Sequence, residues 1–257
     1  MKRLTGSSEL EQTVAFDDGT HKSLTGGAIT LLRRKLIAGH YLPDSKLKIS
    51  DIAQELGISS GLVREALSRL VAEGLVVFND QRGFRASSIS ETELIDITRT
   101  RILIDTAAIE LAIQNGNADW EASILAAHHR LERCQRLDPA SGSIREEWSA
   151  LHREFHKSLI ASCQSSWLLR LHDLLFDQSE RYRRLRASYD VSSSVAKKRN
   201  VEAEHRELID AVISRDTKLA QQKITDHYET TAERILEMEN LTSIAAQNGT
   251  KLENHQS

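Results

Sequence analysis

Cysteine, proline and aromatic residues are scarce in this chain, and each shortage excludes something. Two cysteines in 257 residues, Cys134 and Cys163, cannot build a disulfide framework. The polar N-terminus MKRLTGSSELEQTVAFDDGT lacks the apolar stretch of an export signal, so a reducing, cytoplasmic setting is expected. No apolar run approaches the roughly 20 residues needed to cross a bilayer, which argues against a membrane role. Only two prolines, Pro43 and Pro139, interrupt the chain, and both fall in stretches without helical periodicity. There is no internal repeat, no H-E-x-x-H and no nucleophile elbow. A net charge of −3 argues against a generic polyanion binder.

What is present points to two domains. The length exceeds that of a typical single domain, and 40% hydrophobic residues suffice for real cores. Charge divides unevenly: residues 22–88 hold 10 Lys/Arg against 6 Asp/Glu, whereas residues 89–257 hold 22 against 27. A basic first third joined to an acidic remainder fits a nucleic-acid module attached to something else.

The basic part contains SDIAQELGISSGLVREALSRLVAEGL, Ser50 to Leu75. Apolar residues recur at helical spacing on both sides of Gly57, the pattern of a helix-turn-helix. Ser50 is expected to cap the first of these helices, and Ser59 or Ser60 the second. Burying the apolar face leaves Ser60, Gly61, Arg64, Glu65 and Ser68 outward, with small residues and an arginine suited to a major groove. An amphipathic helix over Leu24–Ile37 precedes it, Lys46–Lys48 is a possible short strand, and Leu75–Phe78 with Phe84–Ala86 read as a hairpin. A hairpin in that place is a wing, with Arg82 and Gly83 at its tip. Residues 23–88 therefore read as a winged helix-turn-helix and 89–241 as an all-helical bundle. Residues 1–22 and 242–257 read as flexible tails. Six bundle helices are expected. A Ser90/Glu93 capping box opens the first, and Ser143 with Glu146 caps the third. A serine-rich loop, Ser188–Ser194, precedes the fifth at about 195–214, and Asp216 caps the sixth, to about Asn240.

Together with the histidines below, these elements resemble a GntR-family transcriptional regulator of the FadR subfamily with a C-terminal FCD domain. The resemblance rests on Gly39-x-x-x-Pro43, the LGISSGLVREALSRLVAEGLV run and the wing turn QRGF. It implies a mainly α protein: an N-terminal winged helix-turn-helix with a small β-wing, then an antiparallel FCD-type bundle. It also implies a homodimer on a short palindromic operator, and a repressor governed by a small-molecule effector. Ser59-Ser60-Gly61 stands where the family usually has Ser-Arg-Thr, so Arg64 carries the expected base contact. Arg69 and Arg82 are better placed for phosphates.

His152 and His156 lie at i and i+4, on one helix face, where two imidazoles can reach one ion. His205 and His227 belong to later helices. Taken singly, each reads as a surface or satisfied core histidine before it reads as a ligand, and a lone i,i+4 pair is a weak metal signal. The resemblance implies more: metal-binding FCD domains carry D-x-x-x-H, then E-H, then a histidine near the end of the last helix. Here His152 takes the aspartate's place, and His156, His205 and His227 match the rest. Four imidazoles suit Zn²⁺, Ni²⁺ or another borderline divalent ion. The same resemblance points to Arg101 as a clamp for a carboxylate-bearing effector, against a plain ion pair with Asp105. Two other readings stay open: a zinc-dependent hydrolase, and a ligand site without metal. For the hydrolase, Glu154 and Glu204 neighbour the histidines but are expected on other helix faces.

Overall fold

A computed structural model describes residues 21–189 and 199–237. The order is α1 (His21–Ile37), α2 (Ile49–Leu56), α3 (Ser60–Ala72), β1 (Val76–Asn79), β2 (Gly83–Ala86), α4 (Glu91–Asn115), α5 (Ala118–Glu132), α6 (Glu146–Ile160), α7 (Ser166–Tyr189), α8 (Val201–Ile213) and α9 (Thr217–Leu236).

Local chemistry sets these boundaries. Gly57 ends α2 at φ +65°, a left-handed conformation that a β-carbon would strain. Ser59 then caps α3 by accepting from the Leu62 amide at 3.3 Å. Ser50 does not cap α2: the helix begins at Ile49, two residues earlier than such a cap would place it, with Lys48 at the cap position, and the Ser50 hydroxyl bonds Asp51 instead. The hairpin pairs Val76 with Ala86 and Phe78 with Phe84. Gly83 enters β2 at φ +74°. The strand suspected at Lys46–Lys48 is a single antiparallel bridge, Lys46 to Arg85. Leu32, Val63, Leu67, Leu70 and Phe84 bury the inner faces of α1, α3 and the wing in one core.

The bundle core is separate and larger, built from α4, α5, α6, α8 and α9 around Phe155, Leu159, Ile160, Leu208 and Val212. Of the expected caps, Asp216 accepts from the Leu219 amide. The box at Ser90 is only half formed. Ser90 accepts from the Glu93 amide, but the Ser90 amide bonds the Tyr182 hydroxyl, which also donates to the Glu93 carboxylate. Ser143 and Glu146 form no box, because α6 starts after Arg145 without a side-chain cap and Ser143 joins the Ser141–Asp138 turn. The fifth bundle helix starts later than expected, capped by Asn200. The serine-rich loop except Ser188 and Tyr189, the first residues of that expected helix, the distal end of the last one and nearly all of both tails lie outside the described residues.

Helix α7 belongs to both halves. Its Gln178 donates to the Glu73 carbonyl at the end of α3 (2.6 Å), Arg181 donates to the Ser88 carbonyl (2.5 Å), and Asp177 approaches Arg33 of α1 at 3.9 Å. A third small core, with Ile89, Leu94, Ile97, Tyr182, Leu185 and Ile235, fills the joint.

Candidate metal centre and nucleic-acid interface

Four histidines from three helices meet inside the bundle. His152 and His156 come from α6, His205 from α8 and His227 from α9; all are buried, and one ring nitrogen of each lies within 4.8 Å of the other three. That span lies within small side-chain shifts of a single ion with bonds of about 2.0–2.1 Å.

Burial sets the charge state. It pushes the pKa of His152, His156 and His205 well below the ordinary histidine value, and that of His227 down to about 4. All four are therefore neutral near pH 7, the form that offers a lone pair. Surrounding groups fix which nitrogen offers it. Glu204 accepts from His227 Nδ1 at 2.8 Å, leaving Nε2 for the interior. Burial works against the Glu204 charge, but hydrogen bonds from Arg199 and His227 hold its pKa at about 2. His156 Nδ1 faces the Tyr228 hydroxyl at 3.5 Å, and that hydroxyl donates to Asp105 at 2.6 Å. His205 Nε2 is buried with no hydrogen-bond partner among the described residues. An orphaned imidazole nitrogen beside three others is what an ion would satisfy. The donor set fits a borderline divalent cation.

Arg101 lines the same cavity and is buried, its guanidinium 3.9 Å from the centre of the Tyr228 ring. It donates to Ser179 Oγ at 2.7 Å, while Nε and Nη2 have no hydrogen-bond partner among the described residues. The alternative of a direct ion pair with Asp105 is not what forms. Asp105 takes His172 Nδ1 at 2.8 Å and the Tyr228 hydroxyl, and Arg101 acts on it only through its charge. Arg101 is thus a buried cation with two unsatisfied nitrogens, on the wall of the cavity that His152, His156 and His227 also line.

Several residues here went unnoticed in the sequence. His172, Tyr228, Arg183 and Arg199 sit in no motif, and only the fold brings them together. Glu204 was expected on another face than the ligands. It does point away from His205, and in doing so reaches His227 on the next helix. Glu154 is on the surface, paired with Arg130.

On the other half, Ser60, Gly61, Arg64 and Ser68 lie exposed along α3, as the periodicity predicts. The Arg64 side chain has no partner among the described residues. Arg69 pairs with Glu65 one turn away at 2.9 Å, both well exposed. Arg82 is exposed at the wing tip beside Gly83.

Residues 96–230 match the model of the FCD domain, and residues 24–85 match that of the bacterial regulatory proteins of the gntR family. The chain belongs to the GntR family. It is 37% identical over 196 residues to the HTH-type transcriptional repressor GlaR of Escherichia coli K12, covering 76% of this chain and 88% of that one. It is 36% identical over 212 residues to the HTH-type transcriptional regulator BphR of Paraburkholderia xenovorans LB400, covering 81% and 83%. In fold it is similar to E. coli McbR/YncC, with a TM-score of 0.70 over 84% of this chain and 99% of that one, at 20% identity. This GntR–FCD protein is a DNA-binding transcriptional regulator and not an enzyme.

Proposed function

We propose that this regulator is a metal-dependent, metabolite-responsive repressor in the cytoplasm. It binds a short palindromic operator as a homodimer, with residues 23–88 reading DNA and residues 89–241 sensing and dimerising. Ser59, Ser60, Gly61 and Arg64 meet base edges or the backbone beside them. Arg69, Arg82 and Gly83 meet phosphates. His152, His156, His205 and His227 hold one divalent ion, zinc by donor chemistry, or nickel. When bound, that ion supplies a Lewis-acidic site for an anion, and Arg101 binds the effector's carboxylate through its two free donors.

The observation that carries this reading is the convergence of four neutral, buried histidines beside an arginine that bonds Ser179 through one nitrogen and leaves Nε and Nη2 without hydrogen-bond partners among the described residues. Nearby α7 reaches the end of α3. Repression itself rests on the likeness to the E. coli repressor GlaR.

Two measurements test it. Elemental analysis after reconstitution should find about one zinc per chain in the wild type and much less in His205→Ala. A wild type that keeps only a small fraction of one equivalent would sink the metal site. A gel shift on a duplex selected from a random pool should show two half-sites, and a single asymmetric site would refute the dimer.

A further inference from the structure

Arg183, on α7, stands where an ion would have to work. Its Nη1 donates to His152 Nδ1 at 2.8 Å and lies 3.4 Å from Nε2 of the same ring. A guanidinium only donates, so His152 accepts at Nδ1 and carries its single proton on Nε2. That proton lies along the 3.0 Å contact to His156 Nε2. An ion bound through Nε2 needs the lone pair there, which sends the proton to Nδ1, against the Arg183 N–H. An ion bound through Nδ1 takes the atom that Arg183 already holds. Both routes break the same bond.

We propose that Arg183 is an internal competitor of the ion: its bond to His152 and the loading of the histidine cluster exclude each other, and its release carries site occupancy to the joint between the domains. This inference rests on the metal reading above. The exclusion follows from histidine at position 152. A carboxylate there, as the FCD pattern would have it, has lone pairs enough to hold an ion and a guanidinium at once. A neutral imidazole has one.

The position of Arg183 makes its release consequential. Arg181, two residues before it, grips the Ser88 carbonyl, and Tyr182 grips Ser90 and Glu93. Once free of His152, Arg183 keeps Glu180, its partner one turn back in the same helix, so its charge stays compensated. Glu180 is itself anchored by Ser149 of α6 at 2.6 Å and by Arg184 at 3.0 Å. Vacating Nη1 therefore shifts a side chain whose neighbours in α7 hold the joint at Ser88–Ser90.

Zinc titration of the metal-free, full-length protein against a chromophoric chelator tests the competition, with wild type, Arg183→Met, His152→Asp and the double variant. Arg183→Met should bind zinc about tenfold more tightly than wild type, the factor one charge-assisted hydrogen bond carries. In the His152→Asp background the same change should bring no gain. If the methionine variant does not fold, Arg183→Gln, which is shorter and can still bond Glu180, should give the gain with the same sign. Hydrogen exchange provides the second readout: zinc should speed exchange at the Ser90 amide in wild type and not in Arg183→Met. Equal or weaker zinc binding by Arg183→Met, with wild type binding, overturns the competition alone. Zinc bound by none of the four overturns the metal reading and this inference with it. Unchanged exchange at Ser90 overturns the route to the joint.

Discussion

Arg64 projects from the outer face of α3 with no side-chain partner among the described residues, while Arg69 beside it is already paired with Glu65. A free guanidinium on a recognition helix can give two parallel N–H donors to one guanine, whereas a paired one first has to leave a carboxylate. Arg64→Ala should therefore weaken operator binding by about 1–3 kcal/mol and relax preference at one base position. A competition gel shift with single-base operator variants measures both, and unchanged affinity would remove Arg64 from direct readout. Arg69→Ala should weaken binding to all duplexes alike and flatten its salt dependence. These outward positions were legible in the sequence because a period of 3.6 separates two faces of a helix. The partners of Asp105 were not. Its spacing to Arg101 suggested an i,i+4 pair, but His172 and Tyr228 arrive from α7 and α9, and no local pattern announces a contact across 67 or 123 residues.

Among the elements, α7 is the one whose sequence said least about its role. Its amphipathic pattern predicts a helix, yet the residues that matter are the buried and half-buried polar ones of one stretch: Ser179, Glu180, Arg181, Tyr182 and Arg183. Tyr182 shows why the Ser90/Glu93 capping box was only half right. A fully buried phenol supplies the bond to the Ser90 amide that Glu93 would have made, and Glu93 turns to the phenol instead. Tyr182→Phe should cost about 1–3 kcal/mol, because it leaves the Ser90 amide without its partner. Urea unfolding followed by circular dichroism measures this, and a loss below about 0.5 kcal/mol would mean that water or Glu93 replaces the hydroxyl. At the opposite limit, the two halves of the wing and the break at Gly57 were readable, since turn chemistry is written in adjacent residues.

At the scale of the whole molecule, the buried histidines tie stability to pH. An unfolded histidine titrates near 6.5, and burial lowers His227 to about 4. Below pH 6.5 the unfolded chain takes up a proton that the folded one refuses. The contribution is therefore complete above 6.5 and is lost as the pH falls through 4. His227 alone should cost metal-free protein about 2 kcal/mol between pH 7 and pH 5. The other three, shifted the same way, add to that loss. A urea midpoint that stays flat over this interval would contradict the burial. Zinc should raise the thermal midpoint at pH 7 and lose that effect as the histidines protonate. The two-domain plan was visible in the charge split and in the change from short punctuated elements to long helices. How the halves meet was not, because the joint links residues far apart in the chain and three of its bonds go to main-chain atoms, which leave no residue pattern.

That joint has a consequence for how such a protein can diversify. Gln178, Arg181 and Tyr182 hold the first domain through the Glu73 carbonyl, the Ser88 carbonyl and the Ser90 amide. Every residue presents those atoms, apart from a proline's missing amide. The exposed side chains of α3 can change with little effect on these three bonds. Exchanging the outward residues of α3 for those of another regulator should alter which operator is read and leave the signal from the bundle intact, so address and message can evolve separately.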